Sequence, residues 1–258
     1  MHREGATASS AGRSVGPYLG LGKPMTRDRP TPTPVADLAA GRWLHNPSTG
    51  EIAHVLSVDA DGRRIEVDLW LQPGAAVAGA HVHDHFVERF QVREGEVGFQ
   101  VAGIERTAQA GDETVEVPAG TRHDWWNAGT GVARVRVEVE AAEDAPGQPA
   151  ARFASMIEAL WSLGALGRVN AKGLPDPLWL AAIAREYSDA IRFVKPPAIV
   201  QTLIFAPLAA IARRAGRDPL AAELHGPAGA CAIPDPGDKG LNTLLARGVN
   251  ARAAPRGE

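Results

Sequence analysis

From about residue 43 to 140 the chain alternates polar and apolar residues with a period of two. Arg64-Ile65-Glu66-Val67-Asp68-Leu69-Trp70-Leu71 has this pattern, as do Glu113 to Val117 and Ala133 to Glu140. Such alternation marks strands with one face buried. Turn signals separate the runs: Asp61-Gly62, Pro73-Gly74, Glu94-Gly95, Ala102-Gly103, Gly111-Asp112 and Gly129-Thr130-Gly131. Short strands spaced roughly ten residues apart predict a sandwich or barrel. Antiparallel sheets of this extent close or double up to hide their edges.

Past residue 142 the pattern changes. Glu143 to Pro149 reads as a linker, and the apolar period then becomes helical. Phe153, Met156, Ile157, Leu160, Trp161 and Leu163 fall largely on one face. Pro175-Asp176-Pro177 opens a second helix, with proline near the first turn where it is tolerated. Leu178, Trp179, Ala182 and Ile183 supply its apolar face. A third apolar segment, Ala198 to Ala212, has fifteen residues without a charge. That is short of the roughly 20 a membrane span requires, and Pro207 is expected to interrupt it. Burial within the fold or in a dimer is the expected use, with membrane-surface contact through 198–212 as the alternative.

The pattern divides the chain into four parts. Residues 1–40 form a flexible N-terminal tail, 41–142 a barrel, 150–215 a helical extension and 216–258 a flexible C-terminal tail. Both tails are rich in Gly, Pro and Ala and lack a periodic apolar face.

Composition narrows the function classes. The 258 residues are 45% hydrophobic and 22% charged, enough for a packed core. The net charge is −3 and no basic run tracks a phosphate backbone, so nucleic acid is not an expected partner. Cys231 is the sole cysteine, so no intrachain disulfide can form, and it reads as a bystander thiol. The start of the chain lacks the apolar core of a secretory signal, and a cytoplasmic location is expected.

Half of the 8 histidines lie between 81 and 123, three of them in His81-Val82-His83-Asp84-His85-Phe86-Val87-Glu88. Imidazoles with a carboxylate suit a divalent transition metal. Strand parity puts His81 and His83 on one side, with His85 if the strand continues, and His123, Trp125 and Asn127 together on another. Glu88 shares a side with Phe90 and Val92, and a turn between 83 and 88 would bring it inward. His2, His45, His54 and His225 read as ordinary side chains, and Arg89 and Arg122 as surface charges. His85, Phe90, Trp125 and Asn127 are candidates for a ligand pocket beside the histidines.

These residues resemble the cupin superfamily. His81-Val82-His83, four residues, Glu88, six residues and Gly95 follow its first motif. Pro118, Gly120, His123 and Asn127 follow the end of its second. Gly74 and Gly111 each stand one residue upstream of the commonest spacing, in turns rather than in the site. The resemblance implies a mainly β fold, a double-stranded β-helix or jelly-roll barrel, here with C-terminal α-helices. It also implies one metal ion, Fe, Mn, Ni, Cu or Zn, held by His81, His83, Glu88 and His123. Gly173-Leu174-Pro175, Ala184 to Tyr187 and Val194 to Pro197 are similar to an extension behind some bacterial single-domain cupins.

Three histidines and one carboxylate leave positions open on the ion, as catalytic centres do. A small-molecule oxygenase is the expected class. A metal-dependent isomerase or lyase is the alternative, as is a non-catalytic ligand-binding or sensory module. A homodimer is expected, because the helices carry more apolar surface than one small barrel can cover.

Overall fold

The computed structural model describes residues 39–76, 79–170, 172–194 and 198–253. The alternating stretch forms strands β1 (Trp43–Asn46), β2 (Glu51–Val58), β3 (Arg64–Leu71), β4 (His81–Val82), β5 (Phe86–Glu94), β6 (Glu96–Val101), β7 (Ile104–Gln109), β8 (Val115–Val117), β9 (His123–Asn127) and β10 (Ala133–Ala141). Among the described residues four α-helices follow: α1 (Pro149–Ala165), α2 (Pro177–Glu186), α3 (Ala198–Arg214) and α4 (Gly237–Ala253). Two short strands lie between helices, β11 (Arg192–Phe193) and β12 (Ala232–Ile233).

The strands form two antiparallel sheets, ordered β12-β1-β2-β3-β10-β5-β8 and β11-β4-β9-β6-β7. The fold is a mainly β jelly-roll barrel with a C-terminal helical extension. Register explains what faces inward. Val135, Val137 and Val139 of β10 pair with Leu69, Val67 and Ile65 of β3 on one side, and with Val92, Phe90 and Glu88 of β5 on the other. With a side-chain period of two, these positions share the inner face, where Leu69, Phe90, Val135 and Val137 join one buried apolar cluster. Glu88 is therefore a carboxylate at a core position.

The alternate positions make an outer face of charges. Arg89 donates to Glu116, Glu138 and Glu140 at 2.9, 2.7 and 2.5 Å. Asp68, 1% exposed, accepts from Arg134 and Arg136. Gly98 is required on this face of β6: a Cβ there would lie 2.4 Å from the Trp126 ring. At the β5–β6 turn Gly95 takes φ 78° against the Ala133 backbone, a conformation glycine adopts without strain.

Helix α1 is shared between two cores. Phe153, Ile157 and Leu160 pack both against the barrel cluster and against a second one. The second holds Met156, Leu163, Trp179, Ile183, Tyr187 and Leu224. Asp176 caps α2, accepting from the Leu178 and Trp179 backbone N–H groups at 2.8 and 3.0 Å, with Pro177 opening the helix. Helix α3 packs on α2.

Two expectations change. Pro207 does not end its helix: α3 runs through it to Arg214. Proline removes the donor that would serve the Leu203 carbonyl and crowds that carbonyl with its ring, yet the turns on both sides persist. The stretch after 216 is not loose among its described residues. Leu224 and Cys231 are buried, β12 pairs with β1 as Trp43↔Ile233 and Leu44↔Ala232, and α4 continues to Ala253. Its small residues serve close approach. Gly248 sits so near Gln72 that a Cβ would lie 2.4 Å from the amide nitrogen, and Gln72 donates to the Gly50 and Leu245 carbonyls. The tail expected over 1–40 lies, up to residue 38, outside the described residues. No helix among the described residues is long and apolar enough to cross a membrane.

Candidate metal centre

Three sheet positions and one turn bring the four donors together. His81 and His123 face each other across the β4–β9 pair. His83 lies just past β4, and residues 83–85 turn the chain so that β5 can present Glu88 inward. All four side chains are buried, at 2 to 3% exposure, and one donor atom from each lies within 4.8 Å of the others.

The far nitrogen of every histidine is already engaged. Nδ1 of His81 is 2.5 Å from the Gly79 carbonyl, Nδ1 of His83 is 2.6 Å from that of Ala190, and Nδ1 of His123 is 3.0 Å from that of Thr121. A carbonyl only accepts, so each Nδ1 carries the proton and each Nε2 keeps its lone pair. A carbonyl holding the far nitrogen fixes each ring and turns its free nitrogen inward, which prepares the imidazoles as ligands. Phe86 stacks on the His83 ring at 4.2 Å, and Phe153 meets its edge at 4.8 Å.

The inward atoms lack partners. His83 Nε2, Glu88 Oε2 and His123 Nε2 are buried without a hydrogen bond of sound geometry. Glu88 Oε2 nevertheless sits 2.8 Å from His123 Nε2 and 3.5 Å from His83 Nε2. Lone pairs held that close need a proton or a cation between them. Burial, with the other two histidines, holds His81 down at about 4, and burial also lowers His83. Burial pushes the Glu88 carboxyl up, but the surrounding histidines outweigh it and hold it below its ordinary range. Burial lowers His123, but the Glu88 carboxylate outweighs it and raises it. A buried carboxylate among three converging imidazoles fits a divalent transition metal.

A family model described as "Cupin domain" matches residues 69–140, a span that contains all four donors. Residues 69–140 are a cupin domain. Solved structures similar to this one include the cupin domain of Schizosaccharomyces pombe Cnp3, at 15% identity and TM-score 0.33, over 36% of this chain and 65% of that one. An RmlC-like cupin from Shewanella frigidimarina matches at 22% and 0.34, over 39% and 85%. A Thermotoga maritima protein described as a predicted oxalate decarboxylase matches at 19% and 0.33, over 41% and 95%. These likenesses say nothing of activity. No curated protein matches the chain.

The other sequence candidates fall in different places. Trp125 lines a cavity of about 390 Å³ together with His81 and Glu88. Phe90 stands behind Trp125, their ring centres 4.9 Å apart in the barrel core. Asn127 is buried structure: its amide donates to the Leu71 and Gly131 carbonyls, and its oxygen accepts from Gly129. His85 lies in the β4–β5 turn outside the four-residue group. His54 stacks on Trp43, and His225 faces Glu158 at 3.8 Å. Burial raises the Cys231 thiol to about 11, so it stays protonated at neutral pH.

Sequence reasoning missed what the helical extension contributes. Strand β11 pairs with β4 beside His81, as Phe193↔His81. Ala190 supplies the carbonyl that orients His83. Arg152 of α1 pins that segment, donating to both oxygens of Asp189 at 2.8 and 3.0 Å and to the Glu186 carbonyl. A backbone carbonyl leaves no trace in a motif; the one available signal was an arginine, Arg152, set beside the apolar stripe of α1.

Proposed function

We propose that the chain is a metal-dependent enzyme of the oxygenase class acting on a small molecule. The observation that carries this is the convergence of three histidines and one carboxylate, two of which, His81 and Glu88, reach the wall of a largely apolar cavity. A closed structural site would have no such space beside it. Four protein donors do not fill an octahedral ion, so substrate has room to approach from the cavity side. A divalent transition metal held by His81, His83, Glu88 and His123 would supply Lewis acidity or redox chemistry.

The chain's own residues supply the rest. Gly79, Thr121 and Ala190 carbonyls hold the imidazole rings in one tautomer. Trp125 and Phe153 are apolar walls of the cavity beside His81 and Glu88. Glu88 Oε2, next to His123 Nε2, is the group placed to take or return a proton.

Oxygen uptake by the iron-loaded protein against a panel of phenols and thiols tests the proposal. Substrate-dependent uptake, lost in His83→Ala, is expected. A zinc-loaded protein that turns over substrate without oxygen would favour an isomerase or lyase. No turnover with any metal would favour a binding module.

A further inference from the structure

We infer that the ligand of this site is an elongated, largely hydrocarbon molecule with a single oxygen-donating head group. The inference rests on reading the four-residue group as a metal centre. It is drawn from the cavity that opens beside it.

The cavity lies between the inner face of the larger sheet and α1. Leu44, Ile65, Leu69 and Val139 line one side; Phe153, Ile157 and Leu160 line the other. Its length follows from α1. Phe153 touches the His83 ring, whereas Leu160 lies seven residues further along the helix, about 10 Å at 1.5 Å per residue. Beyond Leu160, Gly164 abuts Asn46 and Ser48, and Gly173 abuts Thr49. The cavity therefore has a metal end, at His81, Glu88 and Trp125, and a far end bordered by exposed Lys172 and Leu174. At about 390 Å³ it is sized for a small molecule.

Its polar inventory excludes most other ligands. Away from the metal end, the polar groups lining the interior are Asn46, Thr49, Glu51 and the single indole N–H of Trp161. The first three bond one another: Asn46 Nδ2 donates to Glu51 Oε2 at 3.2 Å, and the Thr49 hydroxyl donates to the same oxygen. Among the described residues the one lysine or arginine lining the cavity is Lys172, at the exposed end. A sugar would bury several hydroxyls against hydrocarbon with no partners, which costs free energy for each one. A phosphate or di-acid would find no interior arginine or lysine. A hydrocarbon body loses nothing there, and the buried place for a single oxygen donor is the metal end, Lys172 standing at the exposed one.

Titration calorimetry on the full, zinc-loaded chain with decanoic acid as the probe tests this, with glucose and succinate as polar comparators. Decanoic acid should bind at one per chain, and neither comparator should. Ala154→Phe and Ala184→Phe, both on the cavity wall, should each weaken decanoic acid at least tenfold with zinc content unchanged. Removing zinc with a chelator should also weaken it at least tenfold. Binding of glucose or succinate in place of decanoic acid overturns the ligand class, as does unchanged affinity in both phenylalanine variants. Equal affinity with and without zinc overturns the assignment of the head group to the metal end. A wild-type chain that holds no zinc yet binds decanoic acid in the cavity sinks the metal reading and leaves the ligand class standing.

Discussion

Glu88 shows how much a single residue can carry. It occupies a core position of β5, flanked on the same face by Phe86 and Phe90, and a carboxylate there is costly unless something compensates it. That anomaly, and the histidine spacing, were legible because they are local. Asn127 was not: the motif placed it beside His123, but its amide ties the turn after β9, at Gly131, to the Leu71 carbonyl at the end of β3, 56 residues away. Asn127→Ala should therefore destabilise the protein by about 1–3 kcal/mol, since it strands buried backbone groups, without changing metal content. Urea denaturation with elemental analysis checks both; loss of metal from a stably folded variant would return Asn127 to the site. Asp68 makes a pH-dependent contribution. Burial pushes its carboxyl up, but Arg134 and Arg136 outweigh that and hold it below its ordinary value. A depressed folded pKa means stability that is present above the unfolded value near 4 and lost as pH falls through the folded one. Asp68→Asn should thus be less stable than wild type at pH 7, with the gap shrinking below pH 4. A gap that stays constant to pH 2 would show that Asp68 contributes no ionic stabilisation.

Elements divide by how far their partners lie in sequence. The barrel strands and the start of α2 were legible because alternation and Pro175-Asp176-Pro177 are short-range signals. The order after 216 was not, because β12 and α4 are held by β1 and Gln72, far away along the chain. Ending the chain at 219 should therefore cost stability, by uncovering the β1 edge and removing Leu224 and Cys231 from the cores. A lower midpoint in thermal unfolding is the expected result, and an unchanged one would make the segment ornamental. The turn after α2 carries a finer prediction. Arg152→Met should loosen Asp189 and Ala190, leave His83 Nδ1 poorly held and weaken metal binding about 10-fold or more, the range seen when outer partners of a ligand are lost. Arg152→Lys should restore part of that affinity. Competition with a chromophoric chelator measures it, and unchanged affinity in Arg152→Met would confine the arginine to packing.

At the scale of the molecule, the helical extension and the barrel build one site. The barrel supplies the four donors, and α1, β11 and the turn between α2 and β11 close and brace them. Helix α3 is the part left over, with Leu203, Ile204 and Ile211 exposed. That apolar face supports a homodimer, which light scattering should show at micromolar concentration; a monomer would contradict it. All of the chemistry above depends on metal at the four residues. Elemental analysis of the purified full chain should find one transition-metal ion per chain, and His83→Ala combined with His123→Ala should abolish it while circular dichroism still shows a folded barrel. Full metal content in that double variant, or a folded wild-type chain that takes up no transition metal when it is offered, would contradict the assignment.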